Sequence, residues 1–185
     1  MASYNASSSR ALADISLKGI SSTQKNVSIL IGGLELGVTL RRALDHSEIH
    51  SACVVELEPR IIDWNRKHLD NADILDDPRT EIVVGDIYDY IQGTPRSYNG
   101  IALDIDKGPN LSVRPENRRM YTVSILNVLQ TRLRSSGVLA IGANELNASY
   151  ERALREVFGE VNHHQAEEFD VNGNTLDSVV YEVQV

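Results

Sequence analysis

The stretch Val27-Ser28-Ile29-Leu30-Ile31-Gly32-Gly33-Leu34-Glu35-Leu36-Gly37 decides the fold. Residues 27–31 form a short apolar run bounded by Asn26 and by glycine, which is how a strand buried on both faces reads. The glycines behind it allow a tight turn. Residues 38–45 then follow as a helical stretch.

The same two patterns recur downstream. Further apolar, β-rich runs lie at 52–57, 80–84, 100–105 and 138–142. Helical stretches follow them at 59–69, with Pro59 at a first helical position, and at 87–92, 117–134 and 148–158. Within 117–134, Tyr121, Ile125, Val128, Leu129 and Leu133 keep helical spacing. Gly159 is placed to cap the last of these helices. Strand and helix alternating five times imply a parallel sheet covered by helices on both faces. After Gly159 the pattern changes to two strands, 160–168 and 178–185, around a turn at Asn172-Gly173-Asn174. The expected architecture is α/β: a doubly wound, mostly parallel seven-stranded sheet with a C-terminal antiparallel hairpin. That is the layout of the class I S-adenosylmethionine-dependent methyltransferase-type fold. Residues 1–10, with four serines and no apolar period, are expected to be disordered. Residues 11–25 carry Leu12, Ile15, Leu17 and Ile20 and are expected to form a short helix or arm on a single α/β domain spanning 26–185.

Composition narrows the function classes. A chain of 185 residues with 42% apolar and 24% charged residues has the make-up of an ordinary globular domain. The formal charge is −8, with no basic stripe, so nucleic acid and anionic membrane are not expected partners. The single cysteine, Cys53, excludes an internal disulfide and fits a reducing compartment. No apolar run reaches the about 18 residues of a membrane span, and the N-terminus lacks a signal-peptide pattern, so the expected location is cytoplasmic.

In open α/β sheets, ligands bind beyond the carboxyl ends of the strands, so the residues just after each run carry the functional argument. After the first come Gly32, Gly33, Glu35 and Gly37, which form either a plain tight turn or a loop that lets backbone approach a ligand at a helix N-terminus. After the second comes Glu56, 23 residues beyond Gly33, close to the roughly 20-residue spacing at which an acid meets ribose hydroxyls. Leu57 beside it offers an apolar surface to a purine. After the third comes Gly85-Asp86-Ile87, where Asp86 can cap the next helix, accept from an adenine amine, or both. After the fourth come Asp104 and Asp106, two carboxylates at the mouth of a central strand, where acids are costly unless paired. Asp104 either holds a substrate amine and takes its proton or is neutralised by Lys107. His163 and His164 face opposite sides of a strand, Cys53 and Trp64 read as packing residues, and no set has metal-ligand spacing, so no metal is expected.

From residue 28 to about 160 the chain resembles the catalytic domain of the spermidine synthase (aminopropyltransferase) family. The resemblance runs through Ile31-Gly32-Gly33 with Gly37, Val55-Glu56-Leu57-Glu58-Pro59, Asp77-Pro78-Arg79, Gly85-Asp86, Ala102-Leu103-Asp104 with Gly108-Pro109, and Gly137-Val138-Leu139. It implies a transferase that uses decarboxylated S-adenosylmethionine, or S-adenosylmethionine itself, as co-substrate and a small amine as acceptor. A methyltransferase, a cyclase or a non-catalytic nucleoside binder on the same fold is the alternative. A homodimer is compatible with the family. By the same resemblance Glu56 would hold the ribose, Asp86 the adenine amine and Glu35 the amino group of the ligand tail, while Asp104 would take the proton of the attacking amine. Asp106 is the approximate counterpart of a second family acid. Leu34 and Leu36 stand where the family loop has glycine, and are expected to crowd the tail if they face it. The family's N-terminal β-rich domain is too large for the 26 residues ahead of Val27.

Overall fold

A computed structural model of the chain describes residues 6–21, 23–105, 107–110, 114–169 and 175–185. Seven strands form one sheet: β1 (Val27–Gly32), β2 (Ile49–Glu56), β3 (Thr80–Val84), β4 (Tyr98–Leu103), β5 (Leu133–Ala143), β6 (Asn162–Phe169) and β7 (Thr175–Gln184). Their order is β3-β2-β1-β4-β5-β7-β6. The first five run parallel, while β7 pairs antiparallel with both β5 and β6. The doubly wound sheet with its closing hairpin is therefore as the sequence implies. The turn expected at Asn172-Gly173-Asn174 lies outside the described residues.

The central strands are buried on both faces because each alternates two apolar sets. On β1, Ile29 and Ile31 face the core under α1 (Ser7–Ser16), α2 (Val38–Leu44) and α4 (Ala72–Leu75). Leu30 faces the core under α5 (Ile87–Gly93), α6 (Val123–Arg132) and α7 (Ala148–Phe158). Helix α3 (Pro59–His68) starts at Pro59, with the Glu58 carboxylate accepting from the Arg60 N–H at 3.2 Å.

Several boundaries differ from expectation, most by one to three residues at strand ends. Helix α1 begins at Ser7, so at least Ser7–Arg10 of the expected disordered stretch is ordered. Its buried face is Ser9, Leu12, Ala13, Ile15 and Ser16, and serine at two of those positions hides the apolar period. The helix expected over 117–134 is instead a 3₁₀ segment, Pro115–Tyr121, followed by α6, with Thr122 extended between them (φ −98°, ψ 152°). The end of the expected helix joins β5, which starts at Leu133 because that side chain is buried and pairs with Tyr98. The short α4, which has no apolar run long enough to signal it, closes the gap between α3 and β3. No helix among the described residues is long and apolar enough to cross a membrane.

Candidate active site

The carboxyl ends of β1, β2, β3 and β4 meet in a cavity of about 490 Å³. Its wall includes Gly33, Glu35, Glu56, Leu57, Ile87 and Asp104, brought together from four separate stretches of chain. Val55, Glu58, Ile61, Gly85, Ile105, Arg114 and Asn117 complete the described lining. At Gly85 a Cβ would meet nothing within 4 Å, so the cavity is walled there by bare backbone.

The loop from Gly33 to Gly37 is held from behind. Gly33 donates its N–H to the Val55 carbonyl at 2.9 Å, and Gly37 donates to the Leu34 carbonyl at 2.8 Å. Glu35 sits in the left-handed region at φ 46°, an uncommon conformation for a side-chain-bearing residue, and the residue lines the cavity. Two buried asparagines fix this shape. Asn65 on α3 donates its amide to the Glu35 carbonyl at 2.7 Å, and Asn71 donates to the Leu36 carbonyl at 2.9 Å. The two are themselves joined at 2.8 Å. Gly37, at φ 77°, faces this pair so closely that a Cβ would lie 2.6 Å from the Asn71 amide nitrogen. Neither asparagine has a local sequence signal, because each acts on a loop about 30 residues upstream.

Glu56 is buried at the end of β2, and its carboxylate is already in use. One oxygen accepts the Leu34 N–H at 2.8 Å and the other accepts the Glu58 N–H at 2.8 Å. A carboxylate offers about four lone-pair sites, so two remain for a ligand diol. Leu34 itself is 3% exposed and packs in the core, so it does not crowd the cavity. Leu36 points into a neighbouring cavity of about 340 Å³ with Trp64 and Leu69. Trp64, expected to be packed, is 53% exposed.

Asp86 caps α5, accepting the Tyr88 N–H at 2.8 Å with one oxygen and a guanidinium N–H of Arg119 at 2.5 Å with the other. Arg119 in turn stacks over the Tyr88 ring at 4.1 Å. Gly85 and Ile87 line the cavity, while the Asp86 carboxylate is turned to Arg119, a partner 33 residues away. Gly32 closes β1 and is not among the lining residues; its carbonyl accepts the Asp104 N–H at 2.9 Å. Asp104, just past the end of β4, is half-buried, and its Oδ2 accepts the Ser9 hydroxyl of α1 at 3.1 Å. Asp106 lies outside the described residues. Cys53 is buried mid-strand, and burial pushes its thiol up, away from nucleophile chemistry. His163 and His164 part as expected, the first toward Glu151 and the second toward Glu182.

The cavity thus carries Glu35, Glu56, Glu58 and Asp104 against one arginine, Arg114, an acidic bias that favours a cationic ligand. Comparison with known proteins gives the family. The spermine/spermidine synthase domain pattern matches residues 7–167. Polyamine aminopropyltransferase 2 of Pseudomonas aeruginosa is 31% identical over 151 residues, covering 75% of this chain and 41% of the relative. Polyamine aminopropyltransferase 1 of Hyperthermus butylicus is 28% identical over 140 residues, covering 72% of this chain and 46% of that protein. The chain therefore spans less than half the length of these two relatives. Among solved structures, spermidine synthase from Thermotoga maritima superposes with a TM-score of 0.74 at 19% identity, covering 96% of this chain and 59% of that one. Human methyltransferase-like protein 13 in complex with SAH superposes at 0.69, covering 94% of this chain and 78% of that one, also at 19% identity. The match over 7–167 takes in every described wall of the cavity, and this chain belongs to the spermine/spermidine synthase domain family.

Proposed function

We propose that the protein transfers an aminopropyl group from decarboxylated S-adenosylmethionine to a small amine. The observation that carries this reading is that Glu56 and Asp104 line one cavity, the first at the tip of β2 and the second just past β4, on opposite sides of the switch in strand order between β1 and β4. Glu56 would take the ribose hydroxyls on its two remaining lone-pair sites, against the apolar surface of Leu57 and Ile87. Glu35 would meet the ammonium of the aminopropyl tail. An adenine amine that reached Asp86 would have to share it with Arg119.

The chemistry follows from the sulfonium. The amine lone pair attacks the tail carbon bonded to sulfur, and the carbon–sulfur bond breaks. Its electrons return to sulfur, giving neutral methylthioadenosine. The new carbon–nitrogen bond leaves the amine with an extra proton, which the Asp104 carboxylate accepts. The chain's own contribution is to hold the two cations in line and to provide the base. Calorimetry with decarboxylated S-adenosylmethionine, S-adenosylmethionine and methylthioadenosine, followed by a product assay with putrescine and related amines, tests the proposal. Binding of the decarboxylated donor and methylthioadenosine release in the presence of an amine is expected. Binding of S-adenosylmethionine with methyl transfer instead overturns it, and so does failure to bind any nucleoside.

A further inference from the structure

Asp104 does not stand alone at its strand end. Helix α1 crosses the sheet beside it, and Ser9, 5% exposed, donates its hydroxyl to Asp104 Oδ2 at 3.1 Å across 95 residues of sequence. The backbone of Asp104 is fixed separately, by its N–H bond to Gly32. Ser9 is itself anchored: its carbonyl accepts the Thr39 hydroxyl of α2 at 3.2 Å. Helix α2 is the helix that follows the Gly33–Gly37 loop. Below Ser9 on the same helix, Asp14 accepts two bonds from Arg42 of α2, at 2.7 Å and 3.2 Å. So one residue joins the helix behind the nucleoside loop to the acid at the tip of β4.

From this geometry we infer that Ser9 is a positioning residue for the transfer, holding the Asp104 carboxylate in one orientation at the tip of β4. The inference rests on the function proposed above. A hydroxyl hydrogen-bonded to Oδ2 restrains rotation of the carboxylate about its last torsion. The position is buried on a helix face where alanine would pack with better helix propensity.

The test is a double-mutant cycle on the full chain. Ser9→Ala should keep methylthioadenosine affinity and the amine KM within about twofold and lower kcat by about ten- to a hundredfold, the size of effect a misplaced reacting group produces. In an Asp104→Asn background the same change should do nothing more, because Ser9 acts through that carboxylate. Thermal melts of all four proteins accompany the kinetics. Equal turnover of parent and Ser9→Ala, additive effects in the cycle, or a Ser9→Ala protein that loses methylthioadenosine affinity together with turnover would each overturn the role of Ser9. A parent that binds methylthioadenosine yet releases none from the donor with any amine overturns the proposed function, and the positioning role with it.

Discussion

Glu56→Ala should damage the fold and the ligand site together, by amounts that the hydrogen bonds allow to be worked out. The carboxylate accepts two backbone N–H groups, from Leu34 and from Glu58, each at 2.8 Å. The Leu34 bond is buried, so its loss strands a donor away from water, whereas Glu58 is exposed enough to be rehydrated. A bond to a charged group contributes about 1.5–3 kcal/mol, so one full loss and part of a second come to about 2–4 kcal/mol. For a protein of this size each kcal/mol moves the melting point by about 2–4 °C, giving a drop of roughly 5–15 °C. Loss of the ribose contacts should cost a further ten- to hundredfold, roughly, in nucleoside affinity. Scanning calorimetry measures the first effect and titration calorimetry with methylthioadenosine, well below the melting point, the second. Glu56→Gln is the informative companion, because its amide can satisfy one N–H while presenting a donor to the other. If Glu56→Ala melts with the parent, the buried bond to Leu34 is not as described. If it binds methylthioadenosine as the parent does, the ribose assignment is wrong.

Asp104→Asn should lower turnover by about 10²–10⁴ with nucleoside affinity held within a fewfold, read by single-turnover kinetics; a variant that turns over like the parent would remove Asp104 from the chemistry. Leu34→Ala should cost about 2–5 kcal/mol by emptying a core position. Leu36→Ala, at the rim of the second cavity, should leave the melt nearly unchanged, and the reverse ranking would refute the placement of these two side chains. Gly33→Ala should destabilise the chain and weaken nucleoside binding, since its φ is 91° and a Cβ would lie 2.4 Å from the Asp104 carbonyl oxygen; parent-like melting and binding would contradict that contact. Burial raises the Glu182 carboxyl, but Lys18 and His164 outweigh it, so the group titrates below its ordinary value. Its contribution is therefore present above the unfolded glutamate range and lost as pH falls through the folded value. Lys18→Met should flatten the acid limb of the melting-point profile, and identical acid limbs in the two proteins would count against the pairing.

The parts of the fold legible in the sequence are those set by local periodicity. Runs such as 27–31 and 80–84 declare buried strands because their apolar residues are contiguous, and the changed pattern after Gly159 announces the hairpin. Where a side chain points is a different matter. Leu34 and Leu36 look alike in the sequence, yet one is core and the other rims a cavity, because the left-handed turn at Glu35 separates their directions. Strand-end acids could be located, since topology alone puts them at one edge. Their partners could not: Arg119 for Asp86, Ser9 for Asp104, and the Asn65–Asn71 pair behind the loop are all long-range choices. The start of α1 was hidden by serines that pack as small core residues, a role that composition reads as solvent-facing.

The dependence of the loop on Glu56 has a consequence for descent. A lineage that gave up its substrate would still be under selection to keep this acid, because the loop above it depends on the same carboxylate. Finding glutamate at this strand end in a distant cousin is then a record of ancestry rather than a sign of activity. Loss of the trait would be read elsewhere first, at residues such as Glu35, which lines the cavity while the loop is pinned through its backbone carbonyl.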